Sequence, residues 1–71
     1  GVIGMLNVLL IKQKMREMNM KYKDLSEVLG VHEGTINNWF HYFRTPTLAH
    51  VVAICKVLEM NIDDVIVGIV G

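Results

Sequence analysis

The feature that most restricts what this chain can fold into is Gly30, which stands between two short segments of helical apolar spacing. Upstream, Leu25, Val28 and Leu29 recur at intervals that place them on one side of a helix over Tyr22 to Leu29. Downstream, Ile36 and Trp39 lie one turn apart in a segment from His32 to about Phe40. A glycine directly after the last periodic residue suits the left-handed C′ position, which residues with a Cβ resist. Val31, immediately beyond it, is placed to plug the space between two helices held at a fixed angle by so short a connection. The spacing thus predicts a rigid pair of helices over residues 22–40.

The flanking segments obey the same rules. Val8, Ile11, Met15 and Met18 fall at helical spacing behind Asn7, a suitable N-cap, with Lys12, Lys14 and Arg16 on the remaining surface. Asn19-Met20-Lys21 breaks that pattern. The single proline, Pro46, precedes Thr47, which reads as the N-cap of a helix with the stripe Leu48, Val51, Val52, Cys55 and Leu58. Asn61 reads as another cap, with Asp63 and Asp64 in the first turn where the helix dipole favours them, and Val65 and Ile66 supply an apolar edge. There is no repeat, low-complexity tract or linker, so residues 1–71 are expected to form one all-α domain.

Composition narrows the function classes. A chain of 71 residues has one modest core, because domains of this size bury only about 60% of their unfolded surface. A hydrophobic fraction of 52% points to a dense core, a self-association surface, or both. Cys55 is the single cysteine, which rules out an intrachain disulfide and a cysteine-rich zinc site and suits a reducing, cytoplasmic compartment. Its place in an apolar stripe reads as packing rather than nucleophilic chemistry. His32, His41 and His50 are too widely spaced for a local zinc motif. The apolar runs Val8 to Ile11 and Val65 to Val70 fall short of the about 20 residues that a spanning helix needs. Gly1 to Ile11 has no basic n-region of the signal-peptide kind. No nucleophile, base and orienting group occur at suggestive spacing, and there is no glycine-rich phosphate loop, so neither an enzyme nor a cofactor or metal site is expected.

The formal net charge is zero, but it is unevenly spread. Lys12, Lys14, Arg16, Lys21 and Lys23 against Glu17 leave +4 up to residue 23. Arg44 and Lys56 against Asp24, Glu27, Glu33, Glu59, Asp63 and Asp64 leave −4 beyond it. A basic front and an acidic back can orient a domain on a polyanion even without net charge.

The ordered set Leu25-Ser26-Glu27-Val28-Leu29-Gly30-Val31, Thr35-Ile36, Thr45-Pro46-Thr47-Leu48, Leu58 and Asn61-Ile62-Asp63-Asp64-Val65 resembles the lambda-repressor-like Cro/C1-type helix-turn-helix family. The resemblance runs without a gap from about Met20 to Ile66. It implies a small five-helix DNA-binding domain in which the second helix crosses the DNA backbone and the third lies in the major groove. Carried over by position, the base-reading or partner-contacting sites are Glu33, Gly34, Asn37 and Asn38, and the phosphate contacts are Lys21, Lys23, Thr35, His41 and Arg44. Asparagine suits a bidentate contact with adenine, and glutamate can accept from cytosine N4. Each has a plainer reading: Asn37 and Asn38 as solvated helix surface, Glu33 as a first-turn charge that stabilises its helix.

The chain also departs from the family's pattern. Tyr22 replaces the usual Gln at the first position of helix 2, Ser26 replaces the usual small Ala, and Trp39-Phe40-His41-Tyr42-Phe43 replaces a segment that often carries Glu and Gly. Four aromatics in five residues cannot all enter so small a core, and an exposed aromatic cluster marks a protein interface more often than a phosphate surface. Tyr22, Phe40, Tyr42 and Phe43 are therefore candidates for a protein interface, with packing between the recognition helix, the following loop and helix 1 as the plainer reading. Two partners follow. The first is a double-stranded DNA operator, bound by a bacterial or phage regulator acting as a homodimer. The second is another helix-turn-helix repressor, held in a hetero-complex by this fold acting as an antirepressor or modulator.

Overall fold

The computed structural model describes residues 5–67. Among them the order is β1 (Met5–Leu6), α1 (Val8–Glu17), α2 (Tyr22–Leu29), α3 (Glu33–Phe40), α4 (Leu48–Leu58), α5 (Ile62–Val65) and β2 (Ile66–Val67). Of the apolar run Val65 to Val70, the part from Gly68 onward lies outside the described residues.

The boundaries of α1, α2 and the start of α4 have local causes. Asn7 caps α1 by accepting the Leu10 backbone N–H at 3.4 Å. The helix stops where Asn19 turns left-handed at φ 54°, a conformation that asparagine tolerates, and the Met20 N–H closes the turn on the Met15 carbonyl at 2.8 Å. Asp24 accepts the Lys21 N–H at 2.9 Å and secures the start of α2. Gly30 ends it at φ 71°, and the Val31 N–H returns to the Ser26 carbonyl at 3.0 Å. Thr47 caps α4 through the His50 N–H at 3.2 Å.

The core gathers one face from every element. Ile11, Leu25, Ile36, Ile54, Leu58 and Val65 are fully buried, with Leu6, Val8, Met15, Trp39, Phe40 and Val51 completing the cluster. Val31 packs against this cluster between α2 and α3, as its position predicted. Ser26 is the one buried polar residue among those described, 5% exposed, and its hydroxyl donates to the Lys23 carbonyl at 2.7 Å. That bond removes the cost of burying a hydroxyl where a small apolar residue is usual.

Four expectations require correction. Val28 is 61% exposed because α2 turns Leu25 and Ser26 inward. On α4, Leu48 is 71% exposed and Val52 is exposed, while Ile54 is fully buried with Val51 and Leu58. Nearly every α4 residue is apolar, so periodicity permits several faces and the neighbouring helices choose one. Met18 lies past the end of α1 and is exposed. Asn61 occupies the cap position of α5, but its side chain makes no capping bond.

One element was not anticipated. β1 and β2 form a two-stranded antiparallel pair, Met5 opposite Val67 and Leu6 opposite Ile66. The Asn7 N–H donates to the Val65 carbonyl at 2.7 Å and continues the ladder into α5. No helix among the described residues is long and apolar enough to cross a membrane.

The two described glycines should respond to substitution with opposite sign. An added Cβ meets nothing within 4 Å at either Gly30 or Gly34, so backbone conformation alone decides. Gly30→Ala should destabilise by about 1–2 kcal/mol, the cost of a left-handed residue with a Cβ. Gly34→Ala, inside a helix, should stabilise by about 0.5–1 kcal/mol. Urea-denaturation midpoints that move in the same direction for both would contradict this assignment.

Candidate nucleic-acid interface

α3 is fastened along one side and open along the other. Ile36, Trp39 and Phe40 are its buried residues, and α2 crosses it through the Gly30 turn. His32 occupies the N-cap position without a side-chain bond, and Glu33 lies in the first turn, where its charge favours the helix. Glu33, Gly34 and Asn37 are exposed, and Thr35 and Asn38 are half-buried. Glu33 with Asn37 and Gly34 with Asn38 are each four residues apart, so the four expected contact residues form two adjacent rows on the outer surface.

The expected phosphate contacts are spread over α3 itself (Thr35), its C-cap (His41), the start of α2 (Lys21 and Lys23) and the loop before α4 (Arg44). Lys21 and Lys23 are exposed at the start of α2. Thr35 and Arg44 meet across a groove of about 400 Å³ that also takes in Asn38, Thr47 and His50. Its wall is Trp39, against which the His50 ring tilts at 5.0 Å between centroids. His50 and Thr47 were not among the expected contacts. Their signal in the sequence was weak, because Thr47 was already explained as a cap, and only the loop through Pro46 brings them beside Asn38. His41 is exposed and its Nδ1 is 2.9 Å from the Asn37 carbonyl, so one ring nitrogen is already engaged by the helix.

The aromatic run divides sharply. Trp39 and Phe40 belong to the core, Phe40 at only 4% exposure, which withdraws Phe40 from the expected protein interface. The reason is Tyr22: its ring meets Phe40 edge-on at 5.2 Å and 87°. An aromatic contact thereby braces the start of α2 against the end of α3. Tyr42 and Phe43 remain exposed, Phe43 at 73%, with the Phe43 ring stacked on His41 at 5.9 Å. Tyr42 adopts a left-handed φ of 60°, and its hydroxyl donates to the Leu6 carbonyl at 2.9 Å. The loop after α3 is thus tied to the β1–β2 pair, thirty-six residues back along the chain.

Cys55 is half-buried against the core, and burial pushes its thiol above the ordinary value. The thiolate is disfavoured, as the packing role implies. Among the described residues no three His, Cys, Asp or Glu side chains gather as a metal-binding group.

Two crossed helices about a glycine turn, the second exposing polar side chains and flanked by cations, define a helix-turn-helix domain. The chain belongs to the Cro/C1-type HTH DNA-binding domain family, which it matches over residues 10–69. Comparison with curated proteins gives no match.

The loop tether can be isolated by one atom. Tyr42→Phe should lower stability by about 0.5–1.5 kcal/mol through removal of the bond to Leu6. Phe43→Ser, at an exposed neighbour, should change it by less than about 0.5 kcal/mol. Thermal or urea denaturation of the two variants distinguishes a structural Tyr42 from a structurally idle Phe43.

Proposed function

We propose that this domain is a sequence-specific transcriptional regulator of bacterial or phage type, acting in the cytoplasm as a dimer on a DNA operator, with α3 in the major groove. The observation that carries this reading is the outward face of α3, which presents Glu33, Gly34, Asn37 and Asn38 from a helix locked into the core on its other side. Asn37 and Asn38 are assigned to adenine edges and Glu33 to a cytosine amino group. Gly34 contributes differently. The fold does not require a glycine there, since a Cβ would meet open space, but its lack of a side chain lets another surface approach the helix backbone closely.

Thr35, His41, Arg44, Lys21 and Lys23 are assigned to phosphates, which fix register without reading sequence. No catalytic step is assigned. Because phosphate contacts release counterions, binding to duplex DNA should weaken steeply between about 50 and 200 mM salt. Asn37→Ala or Asn38→Ala should cost about 1–3 kcal/mol on the preferred sequence and little on unrelated DNA. Absence of duplex binding at low salt rejects the reading.

A second reading is favoured by the exposure of Phe43 and Tyr42 in a chain of zero net charge. In it, the fold acts as an antirepressor or modulator that pairs with another helix-turn-helix repressor and masks its DNA surface, using Tyr42, Phe43 and the accessible edge of Tyr22. Co-expression with such a repressor followed by size analysis separates the two. A stable complex without DNA, lost on Phe43→Ser and kept on Asn38→Ala, supports the second reading.

A further inference from the structure

The β1–β2 pair turns one side to the core and the other to solvent. Leu6 is buried and Ile66 packs half-buried on the same cluster, whereas Met5 and Val67, directly opposite each other, are both exposed. Opposed residues of an antiparallel pair share one face, so Met5 and Val67 form a single apolar step on the outer side. Leu9, in the first turn of α1 and three residues beyond β1, is 83% exposed. α1 turns Val8, Ile11 and Met15 inward and leaves Leu9 outside.

The sequence leading into and out of this pair carries no charge. From Gly1 to Ile11 and from Val65 to Gly71 there is no Asp, Glu, Lys, Arg or His. The strand register also has a mirror in the sequence: Gly1-Val2-Ile3-Gly4 read forward matches Gly71-Val70-Ile69-Gly68 read backward, and Met5 opposite Val67 continues the match. Those two runs lie outside the described residues, and they add only apolar residues and glycine to the chain on either side of the pair.

A two-stranded ribbon with an apolar outer face is marginal in water by itself. This one is anchored from behind, by the Asn7 N–H on the Val65 carbonyl at 2.7 Å and by the Tyr42 hydroxyl on the Leu6 carbonyl at 2.9 Å, but among the described residues nothing buries Met5, Leu9 or Val67. The patch has no cation to attract a polyanion. Under a two-fold axis it meets only itself, and a surface without charge is complementary to its own copy because no like charges are brought together.

We propose that the outer face of the β1–β2 ribbon, with Leu9 beside it, is the surface on which a second copy of this chain packs about a two-fold axis. The proposal deepens the dimer of the proposed function by naming its interface, and it rests on that dimer rather than on DNA binding. Tyr42 ties the ribbon to the loop that follows α3, so association through the ribbon holds the two recognition helices at a set separation, the quantity that half-site spacing reflects.

The test measures molar mass by sedimentation over a dilution series of the full chain, of Leu9→Glu, of Val67→Lys and of Val28→Glu. A carboxylate in the first turn of α1 favours the helix, so Leu9→Glu challenges the interface without opposing the fold; circular dichroism checks that each variant remains folded. Val28 is equally apolar and exposed, but lies on α2. The unaltered chain should be dimeric, Leu9→Glu and Val67→Lys should each raise its dissociation constant by about tenfold or more, and Val28→Glu should leave it unchanged. A dimer that persists at full strength in either ribbon variant overturns the ribbon interface and leaves the dimer standing. Equal weakening by Val28→Glu also overturns it, since any added surface charge would then suffice. A monomer at every concentration, in a chain that still binds duplex DNA, overturns both the interface and the dimer and leaves the DNA-binding reading intact.

Discussion

The crossing of α2 over α3 depends on Gly30, whose left-handed backbone lets the chain reverse within a single turn while Val31 fills the wedge between the helices. Leu25 on one side and Ile36 on the other are fully buried across that junction. With the angle set there, the polar residues of α3 have one direction left to face. The bond from Val31 to the Ser26 carbonyl and the Ser26 hydroxyl on Lys23 complete the hydrogen bonding of this tight corner. The outward polar face of α3 is therefore a consequence of packing rather than a separate device laid on top of it.

A second set of contacts holds the end of α3. Tyr22 braces Phe40 edge-on, and Tyr42 reaches back to β1. Edge-on aromatic pairs add about 0.5–1.5 kcal/mol beyond area burial, and a single hydroxyl bond adds a similar amount. Both are large beside the few kcal/mol that a single core of this size supplies. Positioning of the recognition helix thus draws on residues from α2, the following loop and β1, none of which touches its outward face.

Charge and shape are divided between elements. α3 supplies amides, one carboxylate and a glycine, while Lys12, Arg16, Lys21, Lys23 and Arg44 lie on α1, on α2 and its N-cap, and on the loop before α4. Such a division suits a domain in which positioning contacts and reading contacts are made by different residues. It also accounts for a net charge of zero without requiring the acidic residues to face the same partner as the basic ones.

Much of this was legible in the sequence. The Gly30 corner, the Asn7 and Thr47 caps, the start of α2 at Tyr22 and the inward Ile36 and Trp39 follow from local rules, because capping, glycine conformation and period depend on neighbours only a few residues away. The outer row Glu33, Gly34, Asn37 and Asn38 was legible for the same reason. What tertiary structure decided were matters with no local signature. On α4 the apolar residues are so dense that only packing against the other helices could choose Ile54 over Leu48 and Val52. Phe40 and Phe43 are both aromatic and three residues apart, yet Tyr22, distant in sequence, draws one into the core and leaves the other outside. The β1–β2 pair joins two ends of the described chain through strands of two residues each, too short for alternation to reveal. The groove that brings Lys12 and Arg16 to Lys21 likewise exists only once α1 and α2 have packed. Local chemistry determined which helices form and where they stop, and long-range packing determined which of their faces, and which of the chain's aromatics and cations, are left to meet a partner.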